Sequence, residues 1–146
     1  MVDIRQFQPD DADRLLLQDG QASEAGETWR DVLRQAPAAG PCWTAEADGR
    51  VLGCGGFALR WKGNALAWAY VARDVPRAAW VALTRAVAAK IEGLRALGVW
   101  RVDAEVRWCW PAGERWVRML GFEFEGVALR YAPDGGDMGR WRRFIA

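Results

Sequence analysis

The chain contains no histidine, and this absence excludes more chemistry than any other feature of its composition. Histidine is the commonest general base, so catalytic triads and dyads built on it are excluded. Cysteine is scarce as well, since the 3 thiols, Cys42, Cys54 and Cys109, are widely spaced and form no Cys-x-x-Cys pair. The sequence therefore predicts no metal site, and its thiols are typical of reduced cysteines in the cytoplasm.

Lysine and long apolar runs are also lacking. Lys62 and Lys90 are the only lysines, the other basic residues are arginines, and the formal net charge is only +1. No overall electrostatic field therefore favours nucleic acid or an anionic membrane. No run approaches the roughly 18 apolar residues of a membrane span, and residues 1–11 lack the pattern of a secretory signal. We expect a cytoplasmic protein with no membrane partner.

The 146 residues suit a single globular domain spanning residues 1–146. Apolar types make up 51% and charged types 27%, which is far from the composition of disordered chains. Tryptophan is abundant, with 10 copies. We predict core positions for Trp68, Trp80 and Trp100, whereas Trp61, Trp110 and Trp141 suit either the core or a contact surface.

Hydrophobic periodicity predicts the elements of the first half. A strand over 2–7 precedes a helix that begins at Asp10 and ends at Gly20. A second helix is predicted from Glu24 to Ala36, where Pro37 ends it. Three antiparallel strands joined by two tight turns follow, and they are predicted over Cys42–Ala47, Val51–Trp61 and Ala65–Ala72.

The second half begins with a long helix predicted from Pro76 to Gly98. Residues 99–108 alternate between apolar and charged types, which predicts a strand with one charged face. A short helix from Pro111 to Leu120 leads to a strand ending at Tyr131. A last strand is predicted around 140–144.

This order of elements resembles that of the GNAT acyltransferase superfamily, and two segments carry the resemblance further. The loop 73–78 reads Arg-Asp-Val-Pro-Arg-Ala, similar to the Q/R-x-x-G-x-G/A pyrophosphate loop of that family with Pro76 at the middle glycine. Leu120-Gly121-Phe122 is similar to the signature that closes many GNAT domains. The resemblance implies an α/β fold, with a mixed twisted sheet of six or seven strands that is splayed near residues 72 and 108 and has helices on both faces.

The resemblance also implies acetyl-CoA as cofactor and transfer of its acetyl group to an amine on a small molecule or a protein. The strand residues Tyr70, Val71 and Ala72 would bind the pantetheine arm through their backbone. The pyrophosphate would lie near Arg73, Arg77 and Ala78, at the N-terminus of a helix. Besides Pro76, two positions depart from the family, since Val117 stands where a tyrosine is common and Trp110 where an asparagine is common.

Charged residues on the strand 99–108 supply the candidate general base for this reaction. Glu105 is the first candidate and Asp103 the second, because both lie on the charged face beside the cofactor strand. The alternative is that both simply pair with Arg101 and Arg107 on that face. The only candidates for the acid that protonates the thiolate are Tyr70, Tyr131 and Cys109, and none stands at the family's position.

A narrower likeness leads to a second hypothesis. Gly55-Gly56, the hairpin with Trp68, Leu120–Gly126 and Tyr131–Gly135 resemble a phage-encoded branch of GNAT-like proteins related to internal virion protein A. That resemblance implies a catalytically inactive protein of the virion or host cytoplasm, with a virion partner or a second copy of itself. Nucleic-acid binding through 140–144, where Arg and aromatic residues interleave, ranks last because the total charge is near neutral.

Overall fold

The structure, a computed structural model, describes residues 1–145 and, at residues 23 and 24, the backbone alone. Ala146, the last residue of the predicted domain, lies outside the described residues. The strands are β1 Asp3–Gln6, β2 Cys42–Ala47, β3 Arg50–Trp61, β4 Asn64–Val71, β5 Arg101–Arg107, β6 Glu123–Ala128 and β7 Met138–Phe144. They form one 7-stranded sheet in the order β1-β2-β3-β4-β5-β7-β6.

Neighbouring strands are antiparallel at every position except one. β4 and β5 run parallel and are paired only from Asn64 and Arg101 to Ala67 and Ala104. Beyond these pairs the two strands separate, so the sheet has a wedge-shaped opening between 68–71 and 105–107. The splaying predicted near residues 72 and 108 is therefore present, and it begins at Ala67 and Ala104.

Helices cover both faces of the sheet, as predicted. Their bounds are α1 Asp11–Arg14, α2 Asp19–Ala25, α3 Trp29–Arg34, α4 Arg77–Gly93 and α5 Pro111–Met119. The helices α1 and α3 pack with Val51 of β3, whereas α4 packs with the adjacent Leu52. Successive strand residues point to opposite faces, so these two cores lie on opposite sides of the sheet. No helix within 1–145 is long and apolar enough to cross a bilayer.

The predicted helix from Asp10 to Gly20 is wrong, because α1 ends at Arg14. Leu15 and Leu17 are buried while Leu16 is 59% exposed, which is the alternation of an extended segment. Leu17 forms a bridge with Ala72 next to the end of β4. Gly20 lies inside α2 and does not end a helix.

The predicted helix from Glu24 to Ala36 is also wrong in its bounds. α2 ends at Ala25, and Gly26 breaks the chain direction with a φ of 81°. α3 then covers only Trp29–Arg34, and Pro37 lies inside a short 3₁₀ turn. The side chain of Glu24, where the helix was predicted to start, lies outside the described residues.

The remaining elements are confirmed, including both hairpins and the last strand, but two of them end earlier than predicted. The long helix α4 ends at Gly93 and a 3₁₀ turn follows it, and β6 ends at Ala128, before Tyr131. β7 inserts between β5 and β6, an order that the sequence pattern does not reveal. Trp68 and Trp80 are half-buried, and Trp141 is buried, with 2% of its surface exposed. The core position predicted for Trp100 is wrong, because this residue precedes β5 at the end of the sheet and is 49% exposed.

A buried carboxylate ties α1 to the sheet. Asp11 is 2% exposed and accepts hydrogen bonds from Arg5 at 2.7 and 2.9 Å, from Thr44 at 2.7 Å and from the Gln8 N–H at 2.8 Å. Burial alone would raise the pKa of Asp11, but these hydrogen bonds outweigh it and lower the pKa to about 2. The carboxylate is therefore held charged inside the protein.

Acid should remove the stabilisation that the charged Asp11 gives to the fold. Because the pKa of Asp11 is lower in the folded than in the unfolded protein, its charged carboxylate stabilises the fold at pH values above the unfolded pKa. This stabilisation is lost as the pH falls from about 5 towards 2. We expect Asp11→Asn to lower the free energy of unfolding at pH 7 by roughly 2 kcal/mol and to flatten the acid-induced loss of stability. Urea unfolding at several pH values measures both. Asp13→Asn on the same helix is the control, since Asp13 is 57% exposed; an equal effect of the two changes contradicts the prediction.

Candidate functional site

A cleft of about 840 Å³ passes through the opening between β4 and β5. Its walls combine residues from both faces of the sheet. Trp68, Tyr70 and Glu105 lie on the face covered by α1–α3, and Arg77, Trp80 and Trp116 lie on the face covered by α4 and α5. The cleft therefore connects two sides on which two different molecules could approach one another.

The N-terminus of α4 presents bare hydrogen-bond donors on one side of this cleft. The first bond inside the helix runs from the Trp80 N–H to the Pro76 carbonyl, at 3.0 Å. The N–H groups of Arg77, Ala78 and Ala79 precede it and have no carbonyl within the helix to bind. Among the described side chains, none caps this helix. Together with the positive end of the helix dipole, these donors suit an anion such as a phosphate.

Arginine side chains add positive charge along the same wall. Arg77, Arg85 and Arg115 line the cleft, the first two from α4 and the third from α5. Arg73 is placed differently, because its side chain lies 3.8 Å from Asp19 of α2 and its N–H donates to the Leu16 carbonyl at 2.8 Å. Of the predicted phosphate residues, Arg77 lines the cleft and Ala78 follows it in the first turn of α4, whereas Arg73 lies beside Asp19.

The opposite wall is the open edge of β4. Backbone groups alternate along a strand, and here those of Ala69 and Val71 face the opening, while the Ala72 N–H donates to Leu52 of β3 at 2.8 Å. The Val71 N–H donates to Oε1 of Gln21 at 2.8 Å, and Nε2 of Gln21 donates to the Ala69 carbonyl at 2.6 Å. Of the predicted residues Tyr70, Val71 and Ala72, Val71 turns its backbone groups towards the cleft. Ala69 does so as well.

Glu105 extends from β5 into the cleft, across the opening from the edge of β4. The Tyr131 hydroxyl donates a hydrogen bond to Glu105 Oε1 at 2.9 Å. This bond, followed by partial burial, raises the pKa of Tyr131, so the phenol keeps its proton and the carboxylate keeps its orientation. The carboxylate of Glu105 can therefore accept a proton, and the Tyr131 hydroxyl beside it is a hydrogen-bond donor.

Asp103, the second candidate base, belongs to an ion-pair cluster. It is 6% exposed and contacts the guanidinium of Arg60. It also accepts hydrogen bonds from Arg101 Nε at 2.8 Å and Asn64 Nδ2 at 2.9 Å. Burial alone would raise the pKa of Asp103, but the bonds from Arg101 and Asn64 lower it. Both carboxylate oxygens are already engaged, so Asp103 joins β4 to β5 and is poorly placed to accept a substrate proton.

Three residues of the site were not predicted from the sequence as contacts. Tyr131 and Glu105 are 26 positions apart, and they meet because the turn after β6 returns towards β5. Gln21 is a single polar residue on a short helix and has no sequence signature. The third is Trp110, whose indole lies between α2 and α5; a Cβ at Gly20 would be 2.5 Å from it and one at Gly113 would be 2.6 Å from it.

Comparison with solved structures shows which fold this is. The crystal structure of Ard1 from Thermoplasma volcanium matches with a TM-score of 0.77, covering 99% of this chain and 98% of that chain at 20% identity. A GNAT-family acetyltransferase from Streptococcus pneumoniae matches with a TM-score of 0.70, covering 100% of both chains at 14% identity. The chain has the GNAT fold. A Bacillus subtilis acetyltransferase in complex with CoA also matches, with a TM-score of 0.72, covering 99% of this chain and 98% of that chain at 13% identity.

The likeness to GNAT-fold proteins is one of three-dimensional structure. No family model matches the sequence, and no curated protein matches it either. The predicted mixed sheet of the GNAT fold is confirmed. The narrower resemblance to a phage branch receives no support from these structures and stays a prediction. Because one fold serves many functions, activity has to be argued from the cleft itself.

Proposed function

We propose that the protein is an N-acetyltransferase that uses acetyl-CoA and acts on an amine. The observation that carries this proposal is the cleft through the splayed sheet, which has bare helix donors on one face and a carboxylate on the other. Two substrates that approach from opposite faces would meet at the opening between β4 and β5. Such proximity accounts for a large part of the rate of a two-substrate reaction.

The residues around the cleft fit CoA in two respects. The pyrophosphate would be held by the N–H groups of Ala78 and Ala79 and by the guanidinium of Arg77, as charge-assisted hydrogen bonds. The pantetheine arm would lie along the open edge of β4, at Ala69 and Val71. Acetyl-CoA, when bound, supplies an acetyl group activated as a thioester.

The other face of the cleft would receive the amine. Trp68 and Tyr70 give it an aromatic wall, in which Tyr70 stacks on Trp29 with ring centroids 5.5 Å apart. Glu105 is the candidate catalytic residue, and it would accept a proton from the ammonium group of the acceptor. Tyr131 is a positioning residue, because its hydroxyl holds the carboxylate of Glu105. An amine with an apolar or aromatic body suits this wall best.

Two features of the cleft depart from the pattern implied by the resemblance. Pro76 removes one N–H from the phosphate loop, although the first turn of α4 retains three bare donors. Val117 is 4% exposed and lies in the core, so α5 offers no acid at that position. Protonation of the leaving thiolate would then fall to water in the open cleft. The second hypothesis, a non-catalytic GNAT-fold protein, predicts that CoA does not bind at all.

Calorimetric titration with acetyl-CoA tests the proposal, and Arg77→Ala sharpens the test. Hydrogen bonds to charged groups contribute about 1.5–3 kcal/mol when they are shielded from water. Arg77 is exposed, so we expect a loss near the lower limit of that range, or about a tenfold weaker affinity. Arg73→Ala is the matched control and should change affinity little, because its side chain lies beside Asp19. An unchanged affinity of Arg77→Ala would place the phosphate elsewhere, and no binding by the wild type would end the enzyme proposal.

A further inference from the structure

The side-chain amide of Gln21 occupies the open edge of β4 as a strand residue would. Its oxygen accepts from the Val71 N–H at 2.8 Å, and its nitrogen donates to the Ala69 carbonyl at 2.6 Å. These are two of the backbone groups that Ala69 and Val71 turn towards the cleft, and the Val71 carbonyl accepts from the Gln18 N–H. The edge is therefore satisfied in this structure by residues of the chain itself.

Neighbouring contacts fix the position of Gln21. Gln18 Nε2 donates to the same Gln21 oxygen at 3.1 Å, and the Gln18 N–H donates to the Val71 carbonyl at 3.0 Å. The indole of Trp110 rests against the backbone of Gly20, so the helix that carries Gln21 is held over the opening. Gln21 is therefore anchored on both sides along the chain.

The two groups that Gln21 binds, the Val71 N–H and the Ala69 carbonyl, are one donor and one acceptor, which together match a single amide group. Pantetheine, the arm of CoA that ends in the thiol, contains two amides in an extended chain. We infer that the amide of Gln21 stands in the place of a pantetheine amide, so that CoA must displace Gln21 in order to bind. This inference rests on the proposed function, because it concerns the same cleft and the same ligand.

Displacement has a consequence that can be measured. CoA replaces two hydrogen bonds that already exist, so its pantetheine gains less affinity than it would on an unoccupied edge. The nucleotide end of CoA, which carries no amide of this kind, does not compete with Gln21. Gln21 should therefore weaken the binding of CoA and leave the binding of its nucleotide fragment unchanged.

The test compares two ligands and three variants by calorimetry. The ligands are CoA and adenosine 3′,5′-bisphosphate, which lacks the pantetheine arm. We expect Gln21→Ala to bind CoA about tenfold more tightly than the wild type, since two net hydrogen bonds no longer oppose the ligand. Gln21→Met keeps most of the side-chain volume without hydrogen bonds and should also bind CoA more tightly. Gln35→Ala, an exposed glutamine after α3, is the matched control and should behave as the wild type.

A second readout follows Gln21 directly. In a ¹⁵N-labelled sample, the side-chain NH₂ signals that vanish in Gln21→Ala belong to Gln21, and titration with CoA should shift them. Equal affinity of wild type, Gln21→Ala and Gln21→Met for CoA, with these signals unmoved, overturns the inference and leaves the proposed function standing. If neither ligand binds any variant, the proposed function fails and the inference with it. Thermal melting shows whether each variant is folded before it is titrated.

Discussion

Replacing Glu105 with glutamine should reduce acetyl transfer by about 10²–10⁴-fold, the contribution usual for a general base. Glutamine keeps the shape of the side chain and can still accept the hydrogen bond from Tyr131, but it cannot take a proton from an ammonium group. CoA affinity should therefore stay nearly the same. Steady-state turnover with a panel of amines, together with calorimetric titration of CoA, measures both quantities.

Glu123→Gln is the matched control for this experiment. Glu123 lies on β6, is 74% exposed and pairs with Arg142 at 3.0 Å, away from the cleft. Its replacement should leave turnover at the level of the wild type. A Glu105→Gln protein that transfers acetyl groups at an undiminished rate would show that Glu105 is not the base. If the wild type transfers no acetyl groups and Glu105→Gln melts at a lower temperature than the wild type, the role of Glu105 is structural.

Replacing Trp141 with alanine should produce the largest loss of stability. Trp141 is 2% exposed, packs edge-to-face on Phe124 with ring centroids 5.2 Å apart and lies under the guanidinium of Arg118. Removing so large a buried ring leaves a cavity, and changes of this kind lower the free energy of unfolding by about 3–5 kcal/mol. That is a large part of the stability of an ordinary domain, so urea unfolding at 25 °C should show a much lower midpoint.

Two further substitutions define what this result means. Trp141→Phe retains an aromatic ring in the same core and should lose clearly less stability than Trp141→Ala. Trp61→Ala removes a tryptophan that is 65% exposed, so its effect should stay within about 0.5 kcal/mol. If Trp141→Ala unfolded at the same urea concentration as Trp61→Ala, the ring of Trp141 would not be part of the core.

The strands were predictable because their signals are local. The Asp48-Gly49 turn and the Lys62-Gly63-Asn64 turn separate runs of β-forming residues, and both hairpins form there. α4 was predictable for a similar reason, since Leu83, Ile91 and the following Leu94 recur at helical spacing and are all buried. The insertion of β7 beside β5 depends on long-range pairing, which no local pattern encodes.

The region from 10 to 36 was not predictable from local periodicity. Leu15, Leu16 and Leu17 are consecutive, so their pattern fits a helix as well as a strand. Pairing of Leu17 with Ala72, which is distant in sequence, selects the extended form. Similarly, Trp100 has the spacing of a core residue, but it precedes β5 at the end of the sheet, where it lies against Gly63 and is 49% exposed.

Residues of the candidate site could be predicted from the sequence only where their place along a helix or a strand determines their position. The positions of Arg77 and Ala78 follow from the start of α4, and that of Glu105 follows from the alternation along β5. The partners of these residues depend on tertiary structure. Tyr131 reaches Glu105 through a turn between strands, and Arg73 points to Asp19 because Leu16 binds its backbone.

The short parallel pairing of β4 with β5 also determines how the domain can deform. Those pairs, from Asn64–Arg101 to Ala67–Ala104, are the ladder that connects β1–β4 with β5, β7 and β6 in the described sheet. Parallel ladders are slightly weaker per residue than antiparallel ones. One hydrophobic core also crosses this seam, because Phe57 and Ala65 pack in the same cluster as Val102, Ala104 and Trp141. The width of the wedge is therefore set by this shared core together with the short ladder, and a ligand that spans the wedge would add a third connection between the two halves.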